Sequence, residues 1–574
     1  MTQGPDRLWS VNPAGVDAAE ALARDLGIQP LTARILAART RGDADVAADF
    51  LRTSLDDLPD PFVMLGMAKA VERLARARRD REPVLVYGDY DVDGMTAAAC
   101  LTHLCRSLGI ATRIQVQKRR GGSHGLSVEA VDLAKAQGQT LIFTADCGMS
   151  NVEEIAYAAT QGIDVVVVDH HQPGLARPNA HSILNPAQAD CPYPFKQLCA
   201  VGVAFSLVRA VDRSLGLPDS LDGYLDLVAL GTVADAVPLS GDNRILVRAG
   251  LVELGRRQRP GIAALIDRSQ IEGAISARAV GFRLAPRLNA AGRVGHADQC
   301  VELLLTDSYA DAVRLARGLD EDNTERQRQE RQMLETAMPK AHAAAEDGHQ
   351  VIIVDGGGWP DALLGVVASR LKERFRLPVV TVASNMETGL ARMSLRAPRG
   401  VDLVAALQGL EDQLLTHGGH AAAAGLSVEI GGIDAVKDIL FRRLTRQMES
   451  SPVSLELLID TEVHLSEFDD AFLDELLLLG PFGTGHPEPV LLARGVRPLK
   501  RRVVGGDHLR VQLSHGTSVQ DAIGFSMAEQ RERLKVRAID ALLTPRLTSW
   551  RGRRKLELQL VDVQRSPQDG ASRT

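Results

Sequence analysis

The sequence predicts an α/β protein: a parallel-sheet domain, a long helix, a smaller α/β domain and a C-terminal β-barrel. Three observations carry this prediction. Between residues 83 and 240, short runs rich in β-branched residues alternate with helical segments of ~10–15 residues, which is typical of a parallel sheet. Residues 309–346 form one long, charge-dense helical pattern. Residues 453–565 contain a series of short strand patterns separated by polar turns, as in a small barrel.

Length and composition limit the classes of protein to which the chain can belong. The chain has 574 residues, which suggests roughly three or four domains, and its 45% hydrophobic and 24% charged content is that of a globular protein. It contains no apolar run of ~18 residues, so no membrane span is predicted. The first residues lack a secretory pattern, which favours the cytosol. The six cysteines have neither zinc nor disulfide spacing.

Charge is unevenly distributed along the chain. The net charge of −7 is not typical of a nucleic-acid-binding protein. However, the segment from Arg494 to Arg565 holds 16 Lys/Arg against 7 Asp/Glu, a balance of +9. A second basic cluster is Lys118-Arg119-Arg120. The C-terminal barrel is therefore a candidate electrostatic track for a strand backbone.

The elements follow in order. Residues 1–75 are predicted to be a helical segment. The predicted strands of the first sheet are PVLVYG, ATRIQVQ, QTLIFTA and DVVVVD, and the helices between them are GMTAAACLTHLCRSLG, SVEAVDLAKAQG and NVEEIAYAATQG. The predicted domain boundaries are 76–305 for the parallel-sheet domain, 306–348 for the connecting helix, 349–450 for the smaller α/β domain, 451–566 for the barrel and 567–574 for a disordered tail.

Acidic residues follow three of the predicted strands. VLVYG runs into Asp89-Tyr90-Asp91-Val92-Asp93-Gly94, LIFTA into Asp146, and DVVVV into Asp169-His170-His171. Because ligands bind beyond the carboxyl ends of parallel strands, we expect these groups to meet at one edge of the sheet.

Crowded carboxylates repel one another unless some are protonated or a cation lies among them. Carboxylate oxygens with one or two imidazoles suit Mn²⁺ or Mg²⁺. Two such ions ~3.5–4 Å apart form the usual site for phosphoester hydrolysis. The sequence therefore predicts a metal-dependent phosphoesterase with two ions.

Simpler interpretations exist for each signal. D-x-D-x-D-G also begins calcium loops, although the Glu expected at the twelfth loop position is Cys100 here. An Asp after a strand is often a helix N-cap, and either histidine could be an ordinary loop residue. Asp235, in LVALGTVADAVPL, is predicted to be a fourth ligand because an Asp in an apolar stretch needs a partner, but it could also cap a turn.

Taken together, these motifs resemble a known family. GDYDVDG, TADCG, VDHH and LGTVAD, in that order, are similar to motifs of the DHH phosphoesterase superfamily. GFRLAPRLNAAGR, SLRAPRGVDL, HGGHAAAAG and PFGTGHPEP narrow the resemblance to the RecJ family of single-stranded-DNA exonucleases, over about residues 40–565.

The resemblance implies a DHH domain, a long helix, a DHHA1 domain and an OB-fold. It implies 5′→3′ hydrolysis of single-stranded DNA to mononucleotides with Mn²⁺ or Mg²⁺, in recombination and repair in the cytoplasm. Expected partners are single-stranded DNA, a single-strand-binding protein and a RecQ-type helicase, with no membrane.

It also implies roles for individual residues. The implied metal ligands are Asp91, Asp93, Asp146, His170 and Asp235. Asp89 and His171 would support the site or contact the scissile phosphate. The implied substrate-binding residues are Arg119, Arg287, Asn289, Arg293, Arg370, Ser394, Arg396 and His420. From the residues alone, Arg287 and Arg293 flank Asn289 in a predicted Pro/Gly loop, and arginine suits phosphate oxygens. HGGHAAAAG would allow close backbone approach to a phosphate, or alternatively tight helix packing.

The chain departs from the family at three places. Tyr87 stands where the family often has His, WPDALLG replaces a WHPGVIG-like segment, and SHG at 123–125 replaces a GYG-like turn. Two rival functions are a phosphatase or oligonucleotide-degrading enzyme of the same superfamily, which usually lacks the barrel, and a non-enzymatic DNA-binding relative. The intact acidic motifs argue against the second rival.

Overall fold

The computed structural model describes residues 8–12, 16–52, 54–117, 125–294, 296–450, 457–550 and 553–567, without the side chains of 293–294, 548–550 and 553–555. The chain forms two compact units. One contains the described residues up to 317 and those from 457 onward, and the other contains residues 318–450. Within the described ranges, no helix combines the length and the apolar character that crossing a bilayer requires.

The first unit begins with a short strand and a group of helices. These are β1 (Trp9–Val11), α1 (Val16–Leu26), α2 (Pro30–Thr40), α3 (Ala44–Leu51) and α4 (Met67–Asp80). Helix α2 starts with Pro30, whose missing N–H costs nothing at a first helical position. Asp43 caps α3 by accepting a hydrogen bond from the Val46 amide at 3.0 Å.

A parallel sheet follows, with strand order β3-β2-β4-β5-β6. Its strands and intervening helices are β2 (Val84–Gly88), α5 (Val92–Ser107), β3 (Thr112–Val116), α6 (Val128–Ala136), β4 (Leu141–Ala145), α7 (Val152–Thr160), β5 (Asp164–Val168) and β6 (Ser182–Leu184). Helices cover both faces, so β2, β4 and nearly all of β5 are buried, as their continuous apolar runs predict. The predicted parallel sheet is confirmed.

Helices complete this part of the unit. They are α8 (Ala200–Leu215), α9 (Asp222–Ala234), α10 (Gly241–Arg256), α11 (Pro260–Arg268), α12 (Ala277–Ala279), α13 (Ala285–Val294) and α14 (Ala297–Leu305), with a π-helical segment at Val280–Leu284. The predicted Pro/Gly loop around Asn289 is wrong, because this stretch is α13. Pro286 lies just after the π-helical segment, and the alanines favour the helix.

The long helical pattern is confirmed as α15 (Tyr309–Glu346). The second unit continues with β7 (Ile352–Asp355), α16 (Leu364–Phe375), β8 (Val379–Asn385), β9 (Leu390–Arg396), α17 (Leu403–Leu407), β10 (Thr416–His420), β11 (Ala423–Glu429) and α18 (Ile433–Ser450). Its sheet has the order β10-β11-β9-β8-β7 and is antiparallel except between β7 and β8. The glycine-rich HGGHAAAAG is therefore a β-hairpin and not a site of helix packing.

The chain returns to the first unit to build the barrel. Its elements are β12 (Leu457–Ile459), β13 (Thr461–Glu462), α19 (Asp470–Leu479), β14 (Leu491–Val504), β15 (His508–His515), β16 (Ser518–Gly524), β17 (Ile539–Trp550) and β18 (Arg553–Arg565). Pairing of β14 with β17 closes the barrel, which confirms the expected OB-type architecture. The barrel interior, α19 and helices α1 to α3 share one hydrophobic core.

Candidate metal centre

The three acidic strand ends are neighbours in the folded sheet. Strand β4 lies between β2 and β5. The backbone ladder continues one residue beyond the strands, because the Asp89 amide donates to the Ala145 carbonyl at 3.0 Å and the Asp146 amide donates to the Val168 carbonyl at 2.9 Å. The sequence prediction that these ends meet at one edge is therefore confirmed in the geometry.

The loop after β2 turns sharply into α5. Asp91 is the N-cap of α5 and accepts a hydrogen bond from the Gly94 amide at 3.0 Å. A side chain at Gly94 would place its Cβ 2.7 Å from the Asp89 carbonyl oxygen, so only glycine fits this turn. Asp91 thus both caps a helix, as the simpler interpretation held, and contributes a carboxylate oxygen to the acidic group with Asp89 and Asp146.

Asp93 is held by the N-terminus of α8. Its side chain is buried, and its two carboxylate oxygens accept hydrogen bonds from the Ala200 amide at 2.6 Å and the Val201 amide at 2.9 Å. The free amides and the dipole at a helix N-terminus stabilise a negative charge there. This contact fixes the position of a carboxylate that would otherwise be costly to bury.

Asp146 adopts a left-handed backbone conformation, with φ of 64°, directly after β4. Non-glycine residues in this region are strained, and such strain often occurs at functional sites. The side chain is buried, and its Oδ1 atom has no hydrogen-bond donor, although it lies 3.2 Å from Nε2 of His170. A buried carboxylate oxygen without a donor is expected where a cation binds.

The Asp169-His170-His171 segment combines one supporting residue with two imidazoles. Asp169 is buried and accepts hydrogen bonds from the backbone amides of Met149, His170 and His171. It also accepts from Nδ1 of His171 at 2.8 Å, which leaves Nε2 of that ring as the atom available to a ligand. Asp169 therefore orients His171, and both of its carboxylate oxygens already accept hydrogen bonds.

Asp235 lies at the C-terminal end of α9, and its Oδ2 is 3.8 Å from Nε2 of His170. The segment after Asp235 is held by contacts with the turn that precedes barrel strand β14. The Leu239 amide donates to the Thr484 carbonyl at 2.8 Å, and Gly485 packs so closely that a Cβ there would lie 2.8 Å from Cβ of Pro238. The PFGTGHPEP turn thus supports the segment that follows Asp235.

These side chains form three overlapping groups, each with ligand atoms within 4.8 Å of one another. The groups are Asp89–Asp91–Asp146, Asp93–His170–Asp235 and Asp146–His170–His171. All seven residues that the sequence predicted for the metal centre and its immediate support are thus brought together. Because Asp146 and His170 each occur in two groups, the arrangement has room for two ions with shared ligands.

The electrostatics of the site fit a divalent cation. Burial, with repulsion from Asp91, raises the pKa of Asp89 to about 7. Burial also raises the pKa of Asp93 and of Asp146 well above the usual range, with Asp235 and Asp91 adding repulsion respectively. Without a cation these carboxylates resist ionisation, and a cation restores their charge. The oxygen-rich donor set with one or two imidazoles suits Mn²⁺ or Mg²⁺.

The two histidines differ in protonation. The hydrogen bond to Asp169 raises the pKa of His171 to about 9. Burial lowers the pKa of His170, which favours the neutral ring that a metal ligand requires. Burial alone would raise the pKa of Asp169, but the hydrogen bonds from His171 and the backbone hold it below its usual range.

Helix α13 packs directly on the acidic loop. A Cβ at Gly292 would lie 2.1 Å from the Tyr90 carbonyl oxygen, so glycine is required for this approach. Asn289 is half-buried on this helix, and Arg287 donates from Nη1 to the Arg283 carbonyl at 2.5 Å. The structure therefore places the helix that carries them beside the metal centre. The Arg293 side chain and the whole of Arg119 lie outside the described residues.

The remaining predicted residues lie in the second unit. Arg396 donates from Nη1 to Oγ of Ser394 at 3.1 Å, and His420 pairs with Ala423, which pairs with Arg396 across the sheet. Ser394, Arg396 and His420 therefore belong to one patch of adjoining strands. Arg370, on α16, is exposed and lies 3.2 Å from Glu330. Burial lowers the pKa of Arg396, as expected for a cation with few compensating groups.

The departures from the family pattern have structural counterparts. The buried Tyr87 hydroxyl donates to the Gly125 carbonyl at 3.2 Å and so anchors the glycine of the SHG sequence. Ser123 and His124 lie outside the described residues. In WPDALLG, the retained Gly365 faces Arg396, because a Cβ there would lie 2.5 Å from the guanidinium Nη2.

Sequence reasoning missed two contributors to the site. Asp169 was quoted as part of a motif but not assigned a role, although two adjacent histidines after an Asp suggest a side chain that orients one of them. The support from Thr484 and Gly485 was also missed, since contacts between residues so far apart in the chain leave no local signal.

Comparisons with known proteins agree with this architecture. The model of the DHH family N-terminal domain matches residues 83–232, that of the DHHA1 domain matches residues 348–446, and that of the RecJ OB domain matches residues 459–562. A crystal structure of RecJ in complex with Mn²⁺ from Thermus thermophilus is similar over 98% of this chain and 80% of that chain, with 30% identity and a TM-score of 0.83.

Two relatives show substantial identity over most of the chain. The single-stranded-DNA-specific exonuclease RecJ of Salmonella typhimurium is 35% identical over 522 residues, covering 87% of this chain and 90% of the relative. The RecJ of Bacillus subtilis is 33% identical over 560 residues, covering 97% of this chain and 70% of the relative. On these similarities and on the shared domain order, the chain belongs to the RecJ family.

Proposed function

We propose that this protein is a metal-dependent exonuclease that degrades single-stranded DNA from the 5′ end to mononucleotides, in recombination and repair. The observation that carries the proposal is the group of buried carboxylates and imidazoles at the carboxyl edge of the parallel sheet. The domain order supports it, because the barrel adds a strand-binding module that small-substrate enzymes of the superfamily usually lack. The relatives that match most of the chain are single-stranded-DNA-specific exonucleases.

The ligands that we propose for two Mn²⁺ or Mg²⁺ ions are Asp91, Asp93, Asp146, His170 and Asp235. When bound, such ions supply an activated water and neutralise charge on the phosphoryl oxygens. The chain itself contributes the fixed positions of these side chains. The N-terminus of α8 holds Asp93, and the strained backbone after β4 directs Asp146 toward His170.

Asp89 and His171 lie beside the proposed metal ligands and are proposed to support the site or to contact the scissile phosphate. Asp89 lies in one group with Asp91 and Asp146, where its carboxyl would support the proposed ligands. The hydrogen bond to Asp169 raises the pKa of His171 to about 9, which favours the positively charged form of its ring. An exposed imidazolium next to the ligands suits contact with a scissile phosphate.

Substrate binding is assigned to residues of both units. In the first unit, Arg287, Asn289 and Arg293 are proposed to bind phosphates next to the metal centre, and Arg119, which lies outside the described residues, is also proposed to bind the strand. In the second unit, Arg370, Ser394, Arg396 and His420 are proposed to bind the strand. We also propose a cytoplasmic location, cooperation with a single-strand-binding protein and a RecQ-type helicase, and the domain boundaries given above.

The test is digestion of single strands and duplexes labelled at the 5′ or the 3′ end, with Mn²⁺, with Mg²⁺ and with chelator. We expect mononucleotides released from the 5′ end of single strands only, and only with metal. Asp146→Asn should abolish cleavage while strand binding, measured by fluorescence anisotropy, persists. The matched control is Asp434→Asn, because that side chain is 97% exposed in the other unit.

Two results would overturn the proposal. Cleavage of dinucleotides but not of long strands would assign the chain to the small-substrate enzymes of the superfamily. Full activity of Asp146→Asn would show that the proposed centre is not where hydrolysis occurs.

A further inference from the structure

An exposed aromatic ring, Phe282, lies in the segment that packs on α9, the helix that ends at Asp235. Phe282 is 72% exposed, which makes it the most exposed phenylalanine in the described part of the chain. A ring that remains in water adds little to folding stability, since the gain comes from removing apolar area from solvent. Because single exposed apolar side chains are common on protein surfaces, the inference depends on the surroundings of the ring and not on its exposure alone.

Phe282 belongs to the π-helical segment Val280–Leu284, between α12 and α13. Such segments are rare and occur frequently at functional sites. The segment is anchored beside α9. Ala277 packs in a small apolar cluster that includes Val233, and a Cβ at Gly281 would lie 3.7 Å from Cγ1 of Val233. Val233 precedes the proposed ligand Asp235 by two residues, so the segment packs on the last turn of the helix that ends at Asp235.

The surroundings of the ring are positively charged. The Arg278 guanidinium carbon is 5.2 Å from the centre of the Phe282 ring, and the exposed Arg283 follows in the chain. On its other side Arg278 is close enough to Arg546, on barrel strand β17, to be affected by its charge. Arg546 itself is neutralised by Glu488 at 2.6 Å. The aromatic ring and its cations therefore form a positively charged patch near strand β17 of the barrel.

These observations favour one kind of occupant. An aromatic face can stack on any nucleobase, and flanking guanidinium groups attract the adjoining phosphates. A single ring is too small an apolar patch for a stable protein interface, which requires roughly 800 Å² on each partner. We propose that Phe282 stacks on one base of the bound single strand close to its 5′ end and so sets the register of the strand at the metal centre.

This inference rests on the proposed function, since it identifies a substrate-binding residue of the same site. The inference predicts how strand binding should depend on the bases of the strand. Stacking depends on the presence of a base at one position and not on the identity of that base. The strand should therefore tolerate any sequence at this position but should not tolerate the loss of the base.

The experiment is an abasic scan. Single strands with one abasic position, moved stepwise from the 5′ end, are bound to the intact protein in chelator and measured by fluorescence anisotropy. The same strands are then degraded with Mn²⁺. The scan compares the natural protein with Phe282→Leu, which keeps apolar bulk but loses the π face, and with Phe282→Tyr, which keeps the face. Phe62→Leu is the matched control, because Phe62 is also exposed, at 38%, but belongs to a short segment that packs on α4 and α8.

For the natural protein and for Phe282→Tyr we expect one abasic position to weaken binding by at least about five-fold and to slow cleavage. Phe282→Leu should bind intact strands correspondingly more weakly and should lose the penalty at that position. Phe62→Leu should behave as the natural protein. A scan without a penalised position, or a penalty of equal size in Phe282→Leu, would overturn the inference. Failure of the natural protein to degrade any intact strand would instead overturn the proposed function, so the two failures are distinguishable.

Discussion

Substitution of Gly292 by alanine tests how tightly α13 is seated on the acidic loop. The added Cβ would lie 2.1 Å from the Tyr90 carbonyl oxygen, whereas ordinary contact begins at 3.4 Å, so helix and loop must separate by about 1.3 Å. Tyr90 lies between Asp89 and Asp91, and the displacement reaches the proposed metal centre directly. A misplacement of about 1 Å typically costs about 10²-fold in rate.

The stability effect of this substitution should be smaller than the catalytic effect. Alanine in a helix gains about 1 kcal/mol over glycine, while overpacking costs about 1–3 kcal/mol, so the net loss is at most about 2 kcal/mol. We therefore expect Gly292→Ala to remain folded and to lose about 10²-fold in kcat for single-stranded DNA. The assays are steady-state cleavage with Mn²⁺, thermal unfolding and calorimetric titration of Mn²⁺.

The matched control is Gly255→Ala on α10, where nothing lies within 4 Å of the new Cβ. This variant should gain about 0.5–1 kcal/mol in stability and keep its activity. If Gly292→Ala retained the natural kcat and Mn²⁺ affinity, the argument that α13 positions the acidic loop would be refuted.

Three further predictions concern the support of the site and the junction with the barrel. Asp169→Asn should remove the charge that orients His171 and lower kcat or Mn²⁺ affinity by about 10–100-fold without unfolding the chain; unchanged kinetics and calorimetry would contradict this. Gly485→Ala should strain a residue with φ of 71° and displace Pro238, so that Mn²⁺ affinity falls; a lower Tm with natural affinity would show that the turn supports only the fold. Burial and Arg39 lower the pKa of His486 to about 4, below the unfolded value of about 6.5, so the unfolded chain binds more protons and stability falls as the pH drops from about 6.5 to 4. His486→Gln should reduce that loss by up to about 3 kcal/mol in urea unfolding at a series of pH values, and identical pH profiles would refute the assignment.

Much of the fold was predictable because its signals are local. Strands β2, β4 and β5 are continuous apolar runs buried on both faces, and the long helix is confirmed as Tyr309–Glu346. The segment around Asn289 was predicted to be a loop because Pro286 and Gly292 are usually helix breakers. In the structure, Pro286 lies just after the π-helical segment and Gly292 lies at a close contact with Tyr90.

The acidic centre was predictable because the rule for parallel strands brings three distant segments to one edge. What could not be predicted depends on contacts between remote parts of the chain. The amides at the start of α8 that hold Asp93 are more than 100 residues away from it, and the turn at Thr484 that supports the segment after Asp235 is further still. Such pairings become visible only when the chain is folded.

The central claim is that the carboxylates and imidazoles at the sheet edge bind two divalent ions. It is tested most directly by calorimetric titration of Mn²⁺ into the intact protein, together with electron paramagnetic resonance of the loaded sample. We predict two ions per chain with magnetic coupling between them, and loss of the coupled signal in Asp146→Asn but not in Asp434→Asn. Unchanged stoichiometry and spectrum in Asp146→Asn would contradict the account.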